Sequence, residues 1–327
     1  MKVLLTGASG MTGRAVATAL LARGDDVTVL QRRTAGLDTP EVLGDIANPD
    51  VVGRAVTGQQ VVLHMAAKVD VVGPWAQYQR ANIDGTRSVI AACRAAGVPR
   101  LINVSSPSVA HAGTALVGAG ADPADPVSAR SNYSRSKAVA EQLALAADGP
   151  ELAVLSLRPH LIWGPGDTQL VGPIIARAKA GRLPLIGGGT ALIDTTYVDN
   201  AVEALIAAVD SPAHGEALVI SNGEPRPVAE ILQRVCAAAG VPGPRRRVPL
   251  RLAAAAGFVV ETGWRLARRP GVPPLTHFLA EQLGTAHWFN QRRTREVLHW
   301  TPRVSLDDGF ELLARSIQDA ASRPSAD

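Results

Sequence analysis

Met1-Lys2-Val3-Leu4-Leu5-Thr6-Gly7-Ala8-Ser9-Gly10-Met11-Thr12-Gly13 is the stretch whose reading decides the fold. The short apolar run 3–6 is expected to be a buried strand, and the amphipathic segment 13–23 behind the glycines a helix. A strand, a tight glycine turn and a helix, in that order, make a nucleotide cradle. Gly7 permits the turn, Gly10 lets the backbone approach a pyrophosphate, and Gly13 lets the helix pack closely on the strand. The helix N-terminus then offers N–H donors and a favourable dipole to phosphate. The same opening residues show no charged leader, apolar segment or cleavage site of a signal peptide, so the expected location is cytoplasmic.

Working outward, residues 26–30, 61–64, 100–105 and 153–158 read as further buried parallel strands, and 49–56, 75–96 and 134–147 as helices. This alternation predicts an α/β fold, a doubly wound parallel sheet. After Arg158-Pro159 the texture changes. Trp163-Gly164-Pro165-Gly166-Asp167 breaks the pattern, 195–198 and 218–221 read as short strands, and 199–209 as a helix returning to the first domain. From about Gly223 onward the chain is expected to be helical. The division read from this is a nucleotide-binding domain over 1–165, with 199–222 returning to it. A smaller, discontinuous substrate lobe covers 166–198 and 223–318, and 319–327 is a flexible tail.

Composition narrows the class. At 327 residues, 46% hydrophobic and 19% charged, the chain is long enough for one large globular unit. A net charge of +4 with few aromatics argues against nucleic-acid binding. Cys93 and Cys236 lie far apart in helix-like stretches and read as small buried hydrophobes, so no metal site or disulfide framework is expected. No apolar run is long enough to span a membrane.

The second strand ends Val29-Leu30-Gln31-Arg32-Arg33. A site for NAD usually places a carboxylate there to hold the ribose 2′-hydroxyl. Gln31, with the guanidinium groups of Arg32 and Arg33 beside it, suits a 2′-phosphate instead, which predicts NADP(H). Asp45 and Ile46, after the next apolar run, are placed to touch the adenine.

Tyr133 and Lys137 stand one helical turn apart, on one face of their helix. A free phenol has a pKa of about 10, and the ammonium favours the phenolate by Coulombic attraction, so Tyr133 reads as a proton donor tuned by Lys137. Ser106, at the end of a neighbouring strand, is placed to donate a hydrogen bond to a substrate oxygen as charge develops. A bare Tyr-x-x-x-Lys recurs by chance on helix surfaces. Here it follows a strand ending in serines and precedes another strand, which makes it a hydride-transfer constellation.

These residues bring the chain to a family. It resembles the extended short-chain dehydrogenase/reductases over essentially its whole length. The resemblance rests on 6–13, His64-Met65-Ala66-Ala67, Asn82-Ile83-Asp84-Gly85-Thr86, Val104-Ser105-Ser106, Tyr133-Ser134-Arg135-Ser136-Lys137 and Arg158-Pro159. It implies that Ser106, Tyr133 and Lys137 are catalytic and that Asn82 helps hold the active-site geometry. It further implies that Ser9, Met11, Ala66, Ala67, Lys68, Lys137 and Pro159 join the glycines in holding the cofactor. His64 reads as a satisfied strand-end residue that shapes the backbone. Within the family the chain is similar to the 3β-hydroxysteroid dehydrogenase-like branch. It is nearer still to the 2-alkyl-3-oxoalkanoate reductases of bacterial long-chain olefin biosynthesis, through 66–68, 103–111, 161–167, 220–225, 274–278 and 284–289. Residues 69–75 depart from that pattern at Asp70 and Pro74.

The implied activity is NADPH-dependent reduction of the 3-keto group of a long-chain 2-alkyl-3-oxo acid. The partner is thus a small carbonyl compound, long-chain or sterol-like. A small-residue-rich apolar helix over 249–269, basic near both ends, suits a lipid-sized pocket, a membrane surface or an ordinary core contact. The basic run Arg245-Arg246-Arg247 reads as a solvated loop or as a contact for a carboxylate or phospholipid. Contact with a membrane or a pathway enzyme, and a homodimer through 75–96 and 134–147, are what the resemblance suggests. The rival functions are a sterol dehydrogenase, a nucleotide-sugar epimerase or dehydratase, and a non-catalytic NADP(H)-binding sensor.

Overall fold

Lys2–Thr6 pairs in parallel with Asp26–Gln31 on one side and with Val61–His64 on the other, and the whole architecture follows from that central position. In the computed structural model, which describes residues 1–70, 72–267, 273 and 276–322, these strands belong to a seven-stranded sheet. Its order is Glu216–Ile220, Ala153–Pro159, Arg100–Val104, Val61–His64, Lys2–Thr6, Asp26–Gln31, Glu41–Leu43, and every neighbouring pair is parallel. The chain order reverses at Lys2–Thr6, which opens a crevice beyond the carboxyl ends of the strands. The fold is the expected doubly wound α/β sheet.

Alternating side chains bury both faces of the sheet. Val3 and Leu5 join Val16, Leu20 and Leu205 in one core, while Leu4 joins Val52, Val62 and Val89 in the other. Helix Val198–Asp210 packs against helix Met11–Ala22, and strand Glu216–Ile220 pairs with Ala153–Pro159 at the edge of the main sheet. Cys93 and Cys236 are buried free thiols.

Several elements differ from the sequence reading. Glu41–Leu43 is a strand that the apolar pattern does not reveal, because it is a short, half-exposed edge. The expected helix over 75–96 is divided into Trp75–Tyr78, a π-helical turn Gln79–Asp84 and Gly85–Ala95. Beyond Gly223 the chain is not wholly helical. Arg226–Pro227, Leu192–Ile193, His287–Phe289 and Leu116–Ala119 form a second sheet in that order, and Arg246–Val248 pairs with Pro184–Ile186. These strands are two to four residues long and exist through pairing with distant segments, so no local period announces them. One of them, Leu116–Ala119, comes from within 1–165. Helix Leu306–Ser322 continues through the first residues expected to be a tail. Val71, the 268–269 end of the expected basic helix, Pro274-Leu275 and 323–327 lie outside the described residues.

Candidate active site

Gly7 has φ +87°, and a Cβ there would lie 2.9 Å from the Ala66 nitrogen. A Cβ on Gly13 would lie 2.3 Å from the Gly7 oxygen. Only glycine fits either position. Gly10 caps helix Met11–Ala22 without a side-chain hydrogen bond, which leaves the first-turn N–H groups to another acceptor. A Cβ on Gly10 would meet nothing but the Gly7 oxygen, at 3.8 Å, so its outer side is open. Gly7, Ser9, Gly10, Met11 and Gly13 all line one cavity of about 2110 Å³. The turn therefore fits a phosphate-bearing cofactor.

A hydrogen-bonded chain holds the neighbouring turn. The Thr6 hydroxyl accepts from the Met65 and Ala66 N–H groups at 3.1 and 3.0 Å and donates to His64 Nδ1 at 2.9 Å. His64 Nε2–H donates to Thr86 Oγ1 at 3.1 Å, and Thr86 donates to the Asn82 carbonyl at 2.7 Å. These partners assign the tautomer. Burial, with a smaller contribution from Lys137, pushes His64 down to about 3, so it stays neutral and structural. From the π-helical turn, Asn82 accepts from the Lys68 N–H at 2.7 Å and donates to the Lys68 carbonyl at 3.1 Å and Ser136 Oγ at 2.9 Å. Ser136 donates to the Tyr133 carbonyl at 2.8 Å. Asn82 thus ties the 66–68 turn to the helix that carries Tyr133, a position typical of π-turns at functional sites.

At the far end of the cradle the Gln31 amide is buried and donates to Glu41 at 2.9 Å. The Thr34 hydroxyl, the Ala35 N–H and the Gln31 amide hold the Glu41 carboxylate below its usual range. Arg32, Asp45 and Ile46 line the cavity, and Asp45 pairs with Arg80 at 2.9 Å. Arg33 is exposed and does not line it.

Ser131 caps helix Asn132–Leu145 by accepting from the Ser134 N–H at 3.0 Å, which sets Tyr133 in the first turn. Ser106 caps the short turn Pro107–Ala110, lies 3.0 Å from Ser108 Oγ and shares a hydrogen bond with the Tyr133 phenol. Burial raises the Tyr133 pKa and the Ser106 bond only partly opposes it. The expected lowering by Lys137 is not found. The Lys137 ammonium is itself desolvated, which pushes it down to about 8 against the opposing charge of Glu141. Lys137 donates instead to the Val104 carbonyl. A protonated phenol beside a hydroxyl, at the wall of a cavity, can pass a proton to a bound oxygen.

Tyr133, Ser106, Ala66, Ala67, Lys68 and Pro159 line the cavity together with the glycine turn. Asn82 and Lys137 are buried behind the wall. Near the departure at Asp70, Lys68 pairs with its carboxylate and Tyr78 donates to its carbonyl at 2.6 Å; Asn132 donates to the Gly73 carbonyl at 3.1 Å. The sequence reading missed His111, His160 and His287, which line the other half of the cavity. They come from separate segments, so no spacing could have grouped them.

A model of the NAD dependent epimerase/dehydratase family matches residues 3–221. The chain is 41% identical over 327 residues to the 2-alkyl-3-oxoalkanoate reductase of Stenotrophomonas maltophilia (strain K279a), covering 97% of this chain and 99% of that one. It is 31% identical over 328 residues to the Homo sapiens sterol-4-alpha-carboxylate 3-dehydrogenase, decarboxylating, covering 95% and 87%. The solved structure of MoeE5 in complex with UDP-glucose and NAD superposes with a TM-score of 0.76 at 26% identity, over 98% of this chain and 100% of that one. With its glycine cradle and parallel sheet, the chain belongs to the NAD dependent epimerase/dehydratase family, the extended short-chain dehydrogenase/reductases, and is an NAD(P)-dependent oxidoreductase.

Proposed function

We propose that this protein uses NADPH to reduce the ketone of a long-chain 2-alkyl-3-oxo acid to a secondary alcohol, in long-chain olefin synthesis. The observation that carries the reading is the protonated Tyr133 phenol, hydrogen-bonded to Ser106 in a cavity whose other wall is the glycine cradle. A bound reduced nicotinamide supplies the hydride to the carbonyl carbon. Tyr133 gives its proton to the carbonyl oxygen, and Ser106 donates a hydrogen bond to the same atom as negative charge develops. The buried Lys137 ammonium stabilises the phenolate that remains. Asn82 keeps the cofactor turn and the catalytic helix in register.

Three features support the substrate and cofactor. The cavity of about 2110 Å³ is larger than an ordinary ligand pocket of roughly 300–1,000 Å³, and Leu116, Leu170, Ile174, Ile231, Phe278 and Leu283 give it apolar wall for an alkyl chain. The relatives named above act on 3-oxoalkanoates and sterol carboxylates by their names. Toward the ribose, Arg32 lines the cavity while the Glu41 carboxylate is occupied by its own partners and does not line it, which favours a 2′-phosphate. The substrate lobe is then 166–198 with 223–318, and the helices over 75–96 and 134–147 are the candidate dimer face.

The test is NADPH oxidation with a 2-alkyl-3-oxo acid set against a panel of sterols, run in both directions, with NADH as the competing cofactor. Preference for NADH removes the 2′-phosphate reading, and preference for sterols replaces the substrate. Tyr133→Phe should lower kcat by about 10²–10⁴-fold and leave NADPH affinity unchanged; full activity in that variant would end the mechanism.

A further inference from the structure

Three histidines meet at the half of the cavity beyond the catalytic residues, and nothing in the chemistry above uses them. His111 follows the Pro107–Ala110 turn that Ser106 caps, His160 follows strand Ala153–Pro159, and His287 opens strand His287–Phe289. All line the same cavity as Ser106 and Tyr133. His287 Nε2–H donates to the Gln282 carbonyl at 2.6 Å, which leaves its Nδ1 to accept from His160 Nε2–H at 2.8 Å. The two rings meet edge-on with centroids 4.9 Å apart, and Phe289 lies 5.0 Å from His160. That pair is locked in orientation and tautomer. His111 is not: it is 3% exposed, and neither ring nitrogen has a hydrogen-bond partner. An unpartnered buried ring nitrogen is costly, and a ligand oxygen arriving from the cavity would satisfy it.

The charge pattern indicates which ligand. Among the described residues the lysine and arginine side chains on the cavity wall are Arg14, Arg32, Lys68 and Arg80, all from the first 80 residues that also carry the glycine turn. Among the described residues, the lining from Val104 onward has no lysine or arginine; it carries Asp167, Asp199 and Glu203, and the histidines are the groups there able to carry positive charge. Among these described lining residues a nucleotide-sugar diphosphate would find no fixed cation. Among the described residues the three rings do not form a metal-ligating group. Burial keeps all three neutral; on His111, Glu281 opposes this and Arg130 adds to it.

We propose that His111, backed by the His160–His287 pair, binds the carboxylate of the 3-oxo acid and selects acids over plain ketones. This rests on the ketoreductase reading of Tyr133 and Ser106. In a 3-oxo acid the carboxyl carbon is two bonds from the carbonyl carbon. The group that reads the carboxylate must therefore stand beside the group that protonates the ketone, and His111 is carried on the turn that Ser106 begins. A neutral His111 donates one N–H to the anion, and the arriving negative charge favours a second proton on the ring. His160 and His287 are positioning residues that hold this corner polar and fixed.

Calorimetric titration of the protein, loaded with its preferred oxidised cofactor, tests this without turnover. The two ligands are a 2-alkyl-3-hydroxy acid and the matching secondary alcohol without the carboxylate. Wild type should bind the acid more tightly. His111→Leu should weaken the acid roughly 10- to 100-fold and leave the alcohol unchanged. His111→Gln, which keeps an N–H donor, should fall between, and His287→Phe should lower acid preference less than His111→Leu. Equal weakening of both ligands, or unchanged acid affinity in His111→Leu, overturns the proposal. Cofactor affinity reports that each variant is folded; if His111→Leu does not fold, the acid-to-alcohol ratio of His111→Gln decides. Selective acid binding without any turnover in wild type would sink the ketoreductase reading and leave the carboxylate site standing.

Discussion

Lys137 carries its charge inside the protein, and the pH response of the site follows from that. Burial depresses its pKa to about 8, so the ammonium is present below that pH and is lost as pH rises through it. The kcat/KM for ketone reduction should therefore hold steady toward neutrality and fall above about pH 8, approaching tenfold per pH unit. A pH–rate profile checks this, and a Lys137→Arg variant that retains activity should lack the fall, since a guanidinium stays charged. His64 titrates near 3 and cannot produce that limb. The Tyr133–Lys137 spacing was legible because both residues lie on one helix face. What lowers or raises each pKa was not, because burial and the Val104 and Ser106 contacts come from segments distant along the chain.

At the scale of elements, the π-helical turn Gln79–Asp84 does what a regular helix over 75–96 would not: it carries the Asn82 amide between the 66–68 turn and the helix that carries Tyr133. Asn82→Ala removes three hydrogen bonds. It should lower stability by about 2–4 kcal/mol in urea denaturation and reduce kcat more than it weakens cofactor binding. An unchanged kcat would mean that the clamp has no part in catalysis. The motif around Asn82 marked the residue in the sequence, but a helical period cannot show one widened turn. The same holds for the second sheet, whose short strands are created by their partners.

The molecule as a whole buries both faces of its sheet, yet helix Leu250–Leu266 leaves apolar side chains outside. Leu252, Phe258, Val259 and Leu266 are 63%, 61%, 67% and 79% exposed, and exposed Arg251 and the run Arg245-Arg246-Arg247 stand at or just before the helix's N-terminal end. An apolar stripe beside arginines suits an anionic lipid surface, each cation contributing about 1 kcal/mol near it. We expect the protein to sediment with vesicles containing anionic lipid and not with neutral ones, and Leu252→Glu with Val259→Glu to reduce that binding. Binding that ignores both lipid charge and these substitutions would refute the contact. Among the described residues no helix is long and apolar enough to cross a membrane.

By itself the sequence determined what local spacing can encode. The glycine turn, the buried strands and the Tyr–Lys pair each depend on neighbours a few residues away, so they were readable along the chain. The tertiary structure alone decided which side chains share a cavity and which stand behind its wall. It left Arg33 outside, buried Lys137 and Asn82, and brought His111, His160 and His287 to one corner. The physical reason is that desolvation and long-range hydrogen bonds depend on segments meeting in space, and no period in one segment records what another will bury.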